Sequence, residues 1–236
     1  IANILLVLGV PALIATTGCS TEGINRNILI MLGFTVVFML MLYLEPLMWY
    51  HGIILVSLLA LFLYDQYKSA KAGGTSVLLE DNDDDPIDDP MWKSVLFLVI
   101  GIVLLPLGAH LPVIGAKEIA SALGISDAVI GLTVVAIGTS LPELAASTMA
   151  VIRGNSNVAI GNVVGSNIFN IAAIMGITAL IVPVVPGDHI VHFDMWVMLG
   201  TSVILMLIVN YLKEITFKTG LAMLIGYGIY LWAAFL

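Results

Sequence analysis

One acidic residue, Glu143, lies deep within a long apolar stretch of this sequence, whereas the other fifteen acids fall in polar stretches or at the ends of apolar runs. A charged carboxylate inside an apolar segment is costly, so it normally faces a polar cavity or pairs with a cation. No lysine or arginine shares its depth in that stretch. The expected partner is therefore a bound metal ion or a proton, and a permanently protonated structural glutamate is the alternative.

The residues before this carboxylate form the motif GTSLPE, residues 138–143. Pro142 lacks an N–H group and crowds the carbonyl one turn earlier, so a helix here is expected to break or kink and to free carbonyls near Ala136. Free carbonyls, the hydroxyls of Thr139 and Ser140, and the carboxylate form an all-oxygen ligand set. Sodium and calcium prefer such ligands, and calcium takes six to eight of them.

Nitrogen and sulfur ligands are not expected at this site, which argues against a transition metal. The four histidines fall near the ends of apolar runs or in loops: His51, His110, His189 and His192. The single cysteine, Cys19, excludes an intrachain disulfide and a cysteine-built metal site, and it is given no role.

A second polar set follows shortly after the first. Asn162, Ser166 and Asn170 are spaced by four residues and therefore share one face of a helix. Three polar side chains on one face of a lipid-embedded helix need a polar partner, and they offer further oxygen ligands. Gly161 and Gly165 permit close helix contact, for which ordinary packing is the simpler interpretation.

These residues are positioned by a chain that is 60% apolar and only 10% charged, a composition typical of a membrane protein. The apolar runs lack the alternation of barrel strands, so they predict helices. We expect an all-α polytopic membrane protein with one partial span and seven full transmembrane helices. The expected spans are 1–16, 28–44, 46–64, 94–116, 128–152, 158–183, 193–212 and 219–236. The sequence opens at Ile1 inside the first run, so a truncated N-terminus is expected.

A polar linker at 65–93 is predicted to divide the chain into a first part at 1–64 and a second part at 94–236 with five spans. Its acids and prolines are typical of a solvated linker, and a weak regulatory calcium site there is the alternative.

Placing the linker in the cytoplasm leaves only Lys117 of the eight basic residues outside, as the positive-inside rule favours. The other seven are Arg26, Lys68, Lys71, Lys93, Arg153, Lys213 and Lys218.

An internal repeat is also present. The sequence from Ile1 to Ile4, with Gly9 and 12–14 after it, recurs at 168–171, 176 and 179–181, at a constant offset of 167 residues. The second copy lies in the fifth predicted span after the first, and consecutive spans alternate in direction, so the two copies run in opposite directions through the membrane. Inverted-topology repeats with a substrate site near the midplane are typical of secondary transporters.

Residues 131–144 and 161–170 together resemble the second α-repeat of the calcium/cation antiporter superfamily, most closely prokaryotic sodium/calcium exchangers. The two motifs cover about forty residues within the second α-repeat at 128–183, and the flanking helices match only in number and hydrophobicity. It implies an inverted-repeat transporter bundle in the prokaryotic plasma membrane, without a cofactor, that moves Ca²⁺ and Na⁺. It further implies metal ligation by the Ala136 carbonyl, Thr139, Ser140, Glu143, Ser166 and Asn170, with Asn3 at the equivalent position of the first repeat.

The sequence departs from that family in two ways. The first repeat's own glutamate should precede Ile1, so this chain alone is not expected to transport. Potassium-dependent members carry an aspartate where this chain has Asn170, which argues against potassium co-transport.

We therefore expect sodium/calcium antiport by alternating access. Proton/calcium antiport remains open, and a cation channel is disfavoured by the inverted repeat. An enzyme is disfavoured because Ser140 has no histidine or lysine beside it, and nucleic-acid binding because the chain has no basic block. The oligomeric state is not predicted.

Overall fold

The computed structural model describes residues 1–19, 23–71, 91–124, 130 and 134–234, and these residues are almost entirely helical. The α-helices are α1 (Ala2–Ile14), α2 (Ile24–Leu44), α3 (Trp49–Lys71), α4 (Met91–Ala122), α5 (Ala136–Thr139), α6 (Leu141–Ile152), α7 (Ser156–Phe169), α8 (Gly176–Ile181), α9 (Met195–Leu207) and α10 (Phe217–Ala234). Short strands β1 (Thr17–Gly18) and β2 (Glu214–Ile215) complete the fold.

Three π-helical segments extend these helices, at Asn170–Met175, Ile190–Asp194 and Ile208–Leu212. With them, five helices in the described residues are long and apolar enough to cross a membrane: Ile24–Leu44, Trp49–Ser69, Val95–Ala122, Ser156–Ile181 and Ile190–Leu212. The predicted membrane protein is confirmed, although only five of its seven predicted full spans meet this criterion. The predicted span 128–152 is interrupted before α6, and α10, which has 18 residues, is also not among the five.

The ends of α3 differ from the sequence prediction. Leu47 pairs with Val184 through two backbone hydrogen bonds of 2.9 Å, so the helix starts at Trp49 rather than at 46. It then continues to Lys71, past the expected linker boundary, and Asp65 forms an ion pair with Arg26. The acidic run at 80–89, with its possible calcium site, lies outside the described residues.

The inverted repeat is visible in two close glycine contacts that occupy equivalent positions in the two halves. A side chain at Gly220 on α10 would place its Cβ 2.8 Å from the Gly9 carbonyl on α1. A side chain at Gly52 on α3 would likewise place its Cβ 2.5 Å from the carbonyl of Gly176 on α8. Gly176 is the repeat partner of Gly9, and α3 occupies in the first repeat the place of α10 in the second. Each repeat therefore packs its last helix against the other repeat.

Two backbone pairings repeat the same relationship. Strand β1 pairs with β2 in antiparallel register, with Thr17 opposite Ile215. The bridge between Leu47 and Val184 is its counterpart, because Val184 lies 167 residues after Thr17. The two pairings lie at opposite ends of α2, whose 21 residues span about 31 Å. One pairing therefore lies near each membrane surface, as an inverted-topology bundle requires.

The centre of the bundle is α1, which contacts α10, α6 and α7. Its Val7 and Leu8 are buried together with Val163 and Ile168 of α7. In contrast, α4 contacts mainly α5 and α6 and leaves apolar side chains such as Phe97 exposed, as suits a helix facing lipid. The polar residues of α1, α6 and α7 are thus brought together inside the bundle.

Candidate cation site at the junction of the repeats

The helix interruption predicted before Glu143 is present. Helix α5 ends at Thr139, Ser140 adopts φ −89° and ψ −4° between the helices, and α6 begins at the next residue. Pro142 lies in the first turn of α6, where a missing N–H group costs no hydrogen bond. The Ala136 carbonyl accepts hydrogen bonds of 3.1 Å from the hydroxyls of Thr139 and Ser140. This interruption gathers hydroxyl and carbonyl oxygens at one point.

Gly138 fixes the position of this interruption against α4. A side chain here would place its Cβ 1.8 Å from Cγ2 of Val113. Atoms cannot approach so closely, and hence only glycine permits α4 to lie against the interrupted helix at this point.

The carboxylate of Glu143 points toward α7. Its Oε1 accepts a hydrogen bond of 2.8 Å from the Ser166 hydroxyl, and its Oε2 is buried with no hydrogen-bond partner among the described residues. Asn162 holds the two helices together, because its amide donates to the Glu143 carbonyl at 3.2 Å and to the Ser147 hydroxyl at 3.0 Å. A buried carboxylate oxygen without a donor is the chemical environment that a cation would satisfy.

Asn3 on α1 connects the two repeats. Its amide nitrogen donates a hydrogen bond of 3.1 Å to Ser166, and its amide oxygen accepts one of 2.6 Å from Ser140. Ser166 in turn donates to Glu143. A continuous chain of hydrogen bonds therefore runs from the helix interruption through the first repeat to the buried carboxylate. Members of such networks orient one another.

A cavity of about 340 Å³ lies beside this network. Of the residues predicted from the sequence, Asn3, Ala136, Thr139, Ser140 and Asn170 line it. Glu143 and Ser166 are joined to it through Asn3. Asn162 hydrogen-bonds to α6 and Ser166 to the Glu143 carboxylate, whereas Asn170 lines the cavity. The structure thus brings all seven predicted ligands into one polar region.

Another acid, Asp194, is buried and lines the same cavity, and it was missed by the sequence analysis. The residue is 7% exposed; the Tyr230 hydroxyl donates to Oδ1 at 2.9 Å, and Nδ1 of His189 lies 2.9 Å from Oδ2. Asp194 lies near the start of the span Ile190–Leu212, as expected for an acid at a helix end, but its burial was not expected. The π-helical turn from Ile190 extends the helix beyond its predicted start and brings Asp194 inside the bundle. The offset of 167 residues, which pairs Asp194 with polar Asn27, is the signal that could have found it.

Comparison with known proteins shows the family. The sodium/calcium exchanger protein family matches residues 1–68 and 93–236. The chain belongs to this family. Its members are ion exchangers rather than enzymes.

Individual relatives agree with this assignment. The chain is 34% identical over 240 residues to the inner membrane protein YrbG of Escherichia coli, covering 100% of this chain and 74% of that protein. It is 37% identical over 213 residues to the uncharacterized membrane protein MJ0091 of Methanocaldococcus jannaschii, covering 90% of this chain and 67% of that protein. The chain spans about two thirds of the length of the first curated relatives it matches.

The fold agrees as well. The solved structure of the sodium/calcium exchanger from Methanococcus jannaschii superposes with a TM-score of 0.76 at 32% identity, covering 98% of this chain and 71% of that one. The predicted all-α transporter bundle is thereby confirmed.

Proposed function

We propose that this protein exchanges Ca²⁺ for Na⁺ across the membrane, and that Glu143 lies at the centre of the shared ion site. The observation that carries the proposal is the buried Oε2 of Glu143, which lacks a hydrogen-bond partner among the described residues. A cation bound there would stabilise the charge that is otherwise unpaired in the bundle.

The surrounding ligands favour hard, weakly acidic cations. Carbonyl, hydroxyl and amide oxygens of Ala136, Thr139, Ser140 and Asn170 line the cavity, and the described residues contain no group of three or more His, Cys, Asp or Glu side chains that could hold a metal. Oxygen ligands of this kind suit Ca²⁺ and Na⁺, which have nearly equal radii. One set of ligands can therefore hold either ion but not both, and this competition is the basis of antiport.

Alternating access follows from the repeat. The cavity is lined at one end by Ile190 and Asp194, which adjoin the membrane surface of the Leu47–Val184 pairing. In an inverted repeat, exchange of conformation between the two halves creates an equivalent opening on the opposite surface. In that second conformation, the site would open to the membrane surface that carries β1, β2 and Lys213, and ions would enter and leave there.

A proton/calcium antiporter is the second candidate, and the same observation favours it. The unpartnered Oε2 of Glu143 could carry a proton when no metal is bound. Replacement of Na⁺ by H⁺ would require no change in the other ligands.

The deciding experiment is uptake of calcium-45 into sodium-loaded proteoliposomes that contain the full-length protein. Uptake that requires internal Na⁺ and stops when the sodium gradient is dissipated is the expected result. Uptake driven by a pH gradient alone would replace this proposal with proton exchange. Calcium flux without either gradient would indicate a channel.

We further propose a prokaryotic plasma-membrane location with residues 65–93 in the cytoplasm. Arg26 pairs with Asp65 near the end of α3, and Lys213 adjoins the β1–β2 pairing at the same end of α2. Clustering of basic residues at one surface supports a cytoplasmic assignment for it. Accessibility of single cysteines to an impermeant maleimide in whole cells tests this orientation: labelling at the Leu47–Val184 surface and protection at Lys213 is expected, and the reverse pattern would overturn it.

A further inference from the structure

We propose that Asp194, Tyr227 and Tyr230 form a second cation-binding site, which takes a sodium ion at the end of the cavity nearest the Leu47–Val184 surface. The three side chains line the same cavity as Asn3 and Ser140. The role of this ion rests on the proposed exchange of Ca²⁺ for Na⁺. The existence of the site does not rest on that proposal.

The site is built from two helices and a turn. Asp194 ends the π-helical turn before α9, and Tyr227 and Tyr230 lie one turn apart on α10. Their rings stack with centroids 6.2 Å apart, and Phe193 stacks against Tyr230 at 6.2 Å. The aromatic rings hold the two hydroxyl groups in place at the edge of the cavity.

The hydroxyl of Tyr227 points to a missing ligand. This residue is 5% exposed, yet its buried hydroxyl has no hydrogen-bond partner among the described residues. A buried hydroxyl normally finds a partner, because leaving it without one costs about 1–3 kcal/mol. Tyr227 lines the cavity, so its hydroxyl oxygen could coordinate a cation bound there.

The carboxylate of Asp194 retains the capacity to bind a cation. Each of its oxygens has two lone pairs, of which Tyr230 and His189 each use one. The Tyr230 hydroxyl donates its proton to Asp194 and keeps its own lone pairs available. Neither lysine nor arginine lines the cavity in the part of the chain that the structure describes, so His189 is the basic group in contact with this carboxylate.

A single carboxylate with two neutral hydroxyls suits Na⁺ better than Ca²⁺. Calcium sites commonly use several carboxylates among six to eight oxygen ligands, whereas a monovalent ion is balanced by one. A sodium ion held here would share its cavity with Asn3, which is linked through Ser166 to Glu143. The structure thus assigns Asp194 a role in setting the affinity for sodium.

Kinetics of the full-length protein in proteoliposomes test the site through Asp194→Asn, with Asp188→Asn as the matched control. Asp188 is an exposed acid just before the π-helical turn that carries Asp194. We expect Asp194→Asn to raise the KM for Na⁺ about tenfold with the KM for Ca²⁺ changed less than about twofold, and Tyr227→Phe to raise the KM for Na⁺ about threefold. Asp188→Asn should match the wild type. Equal effects of Asp194→Asn and Asp188→Asn would overturn the proposal, and a larger effect on Ca²⁺ would overturn the choice of sodium.

Direct sodium binding separates this inference from the proposed function. Sodium-23 NMR line broadening is measured on the purified protein in choline chloride without calcium, together with its thermal midpoint as a test of folding. Broadening that persists in Glu143→Gln and decreases in Tyr227→Phe supports a distinct site even if the wild type shows no sodium-driven flux. Tyr227→Phe removes an unpartnered hydroxyl, so its folding should be unimpaired. Broadening unchanged in a folded Tyr227→Phe protein would overturn the site.

Discussion

Asn3 and Ser166 belong to opposite repeats, and a side-chain hydrogen bond of 3.1 Å joins them across 163 residues of sequence. Ser166 passes the interaction on by donating to the Glu143 carboxylate at 2.8 Å. The orientation of the acidic ligand in one repeat therefore depends on an amide in the other. This link gives the first two predictions.

Substitution of Glu143 by glutamine should abolish exchange. The amide is similar in size but lacks the charge that a calcium ligand requires, so we expect calcium-45 uptake by the full-length protein to decrease about 100-fold or more. Glu118→Gln, at an exposed position of α4, is the matched control and should transport normally. Uptake by Glu143→Gln equal to that of the control would exclude the proposed site.

Asn3→Ala and Ser166→Ala should each weaken calcium binding and should not act independently. Hydrogen bonds to charged groups contribute about 1.5–3 kcal/mol, so loss of the Ser166 bond should raise the KM for Ca²⁺ about tenfold or more. In a double-mutant cycle we expect a coupling energy of about 1 kcal/mol between the two positions. Strictly additive effects would show that the bond does not transmit orientation to Glu143.

Asn170→Asp should increase the affinity for calcium. Asn170 is exposed to the cavity, and a carboxylate there would add an acidic ligand to those of Glu143 and Asp194. Because the charge of its ligands tunes a calcium site, we expect the KM for Ca²⁺ to decrease about fivefold. Asn155→Asp, at an exposed position before α7, controls for the general effect of an added charge. An unchanged KM in Asn170→Asp would place this residue outside the ion path.

Alanine at Gly52 and at Gly220 should destabilise the protein to a similar extent. Each new Cβ would lie within 3 Å of a backbone carbonyl on the partner helix, and such overpacking typically costs about 1–3 kcal/mol. Gly200→Ala is the control, because a Cβ there meets nothing within 4 Å. The measurement is thermal unfolding in detergent, and a stable Gly52→Ala variant would show that the contact is looser than described.

Cys19 should be unreactive in the folded protein. Burial raises the pKa of its thiol to about 12, and the charge of Glu214 adds to this effect. The thiol therefore stays protonated throughout the physiological range, and at pH 8 roughly one molecule in ten thousand carries the reactive thiolate. Labelling by N-ethylmaleimide should be slow until the protein is denatured, whereas a cysteine introduced at exposed Asn155 should react at once. Rapid labelling of native protein at Cys19 would contradict its burial.

Much of this architecture follows from local sequence. The interruption before Glu143 was predictable because Pro142 limits where a helix can start, and the repeat because glycines and asparagines recur at a fixed offset. Hydrophobicity alone placed most of the helices, since apolar length is what a bilayer selects.

Asp194 was not predictable in the same way. Its burial depends on a π-helical turn and on Tyr230, which lies on another helix 36 residues later. Hydropathy places a charged residue at the edge of a span, because a hydropathy profile contains no information on partners from distant helices. The extended end of α3 has a similar cause, because Asp65 remains helical while paired with Arg26.

The exchange of terminal helices between repeats has a consequence for biosynthesis. Helix α1 leaves the ribosome long before α10, its main packing partner, has been translated. Until then its contact face, including Gly9, must be shielded by lipid or by the membrane insertion machinery. Contacts this distant in sequence fold slowly. A nascent chain that stalls before α10 would thus be an early target for membrane proteases.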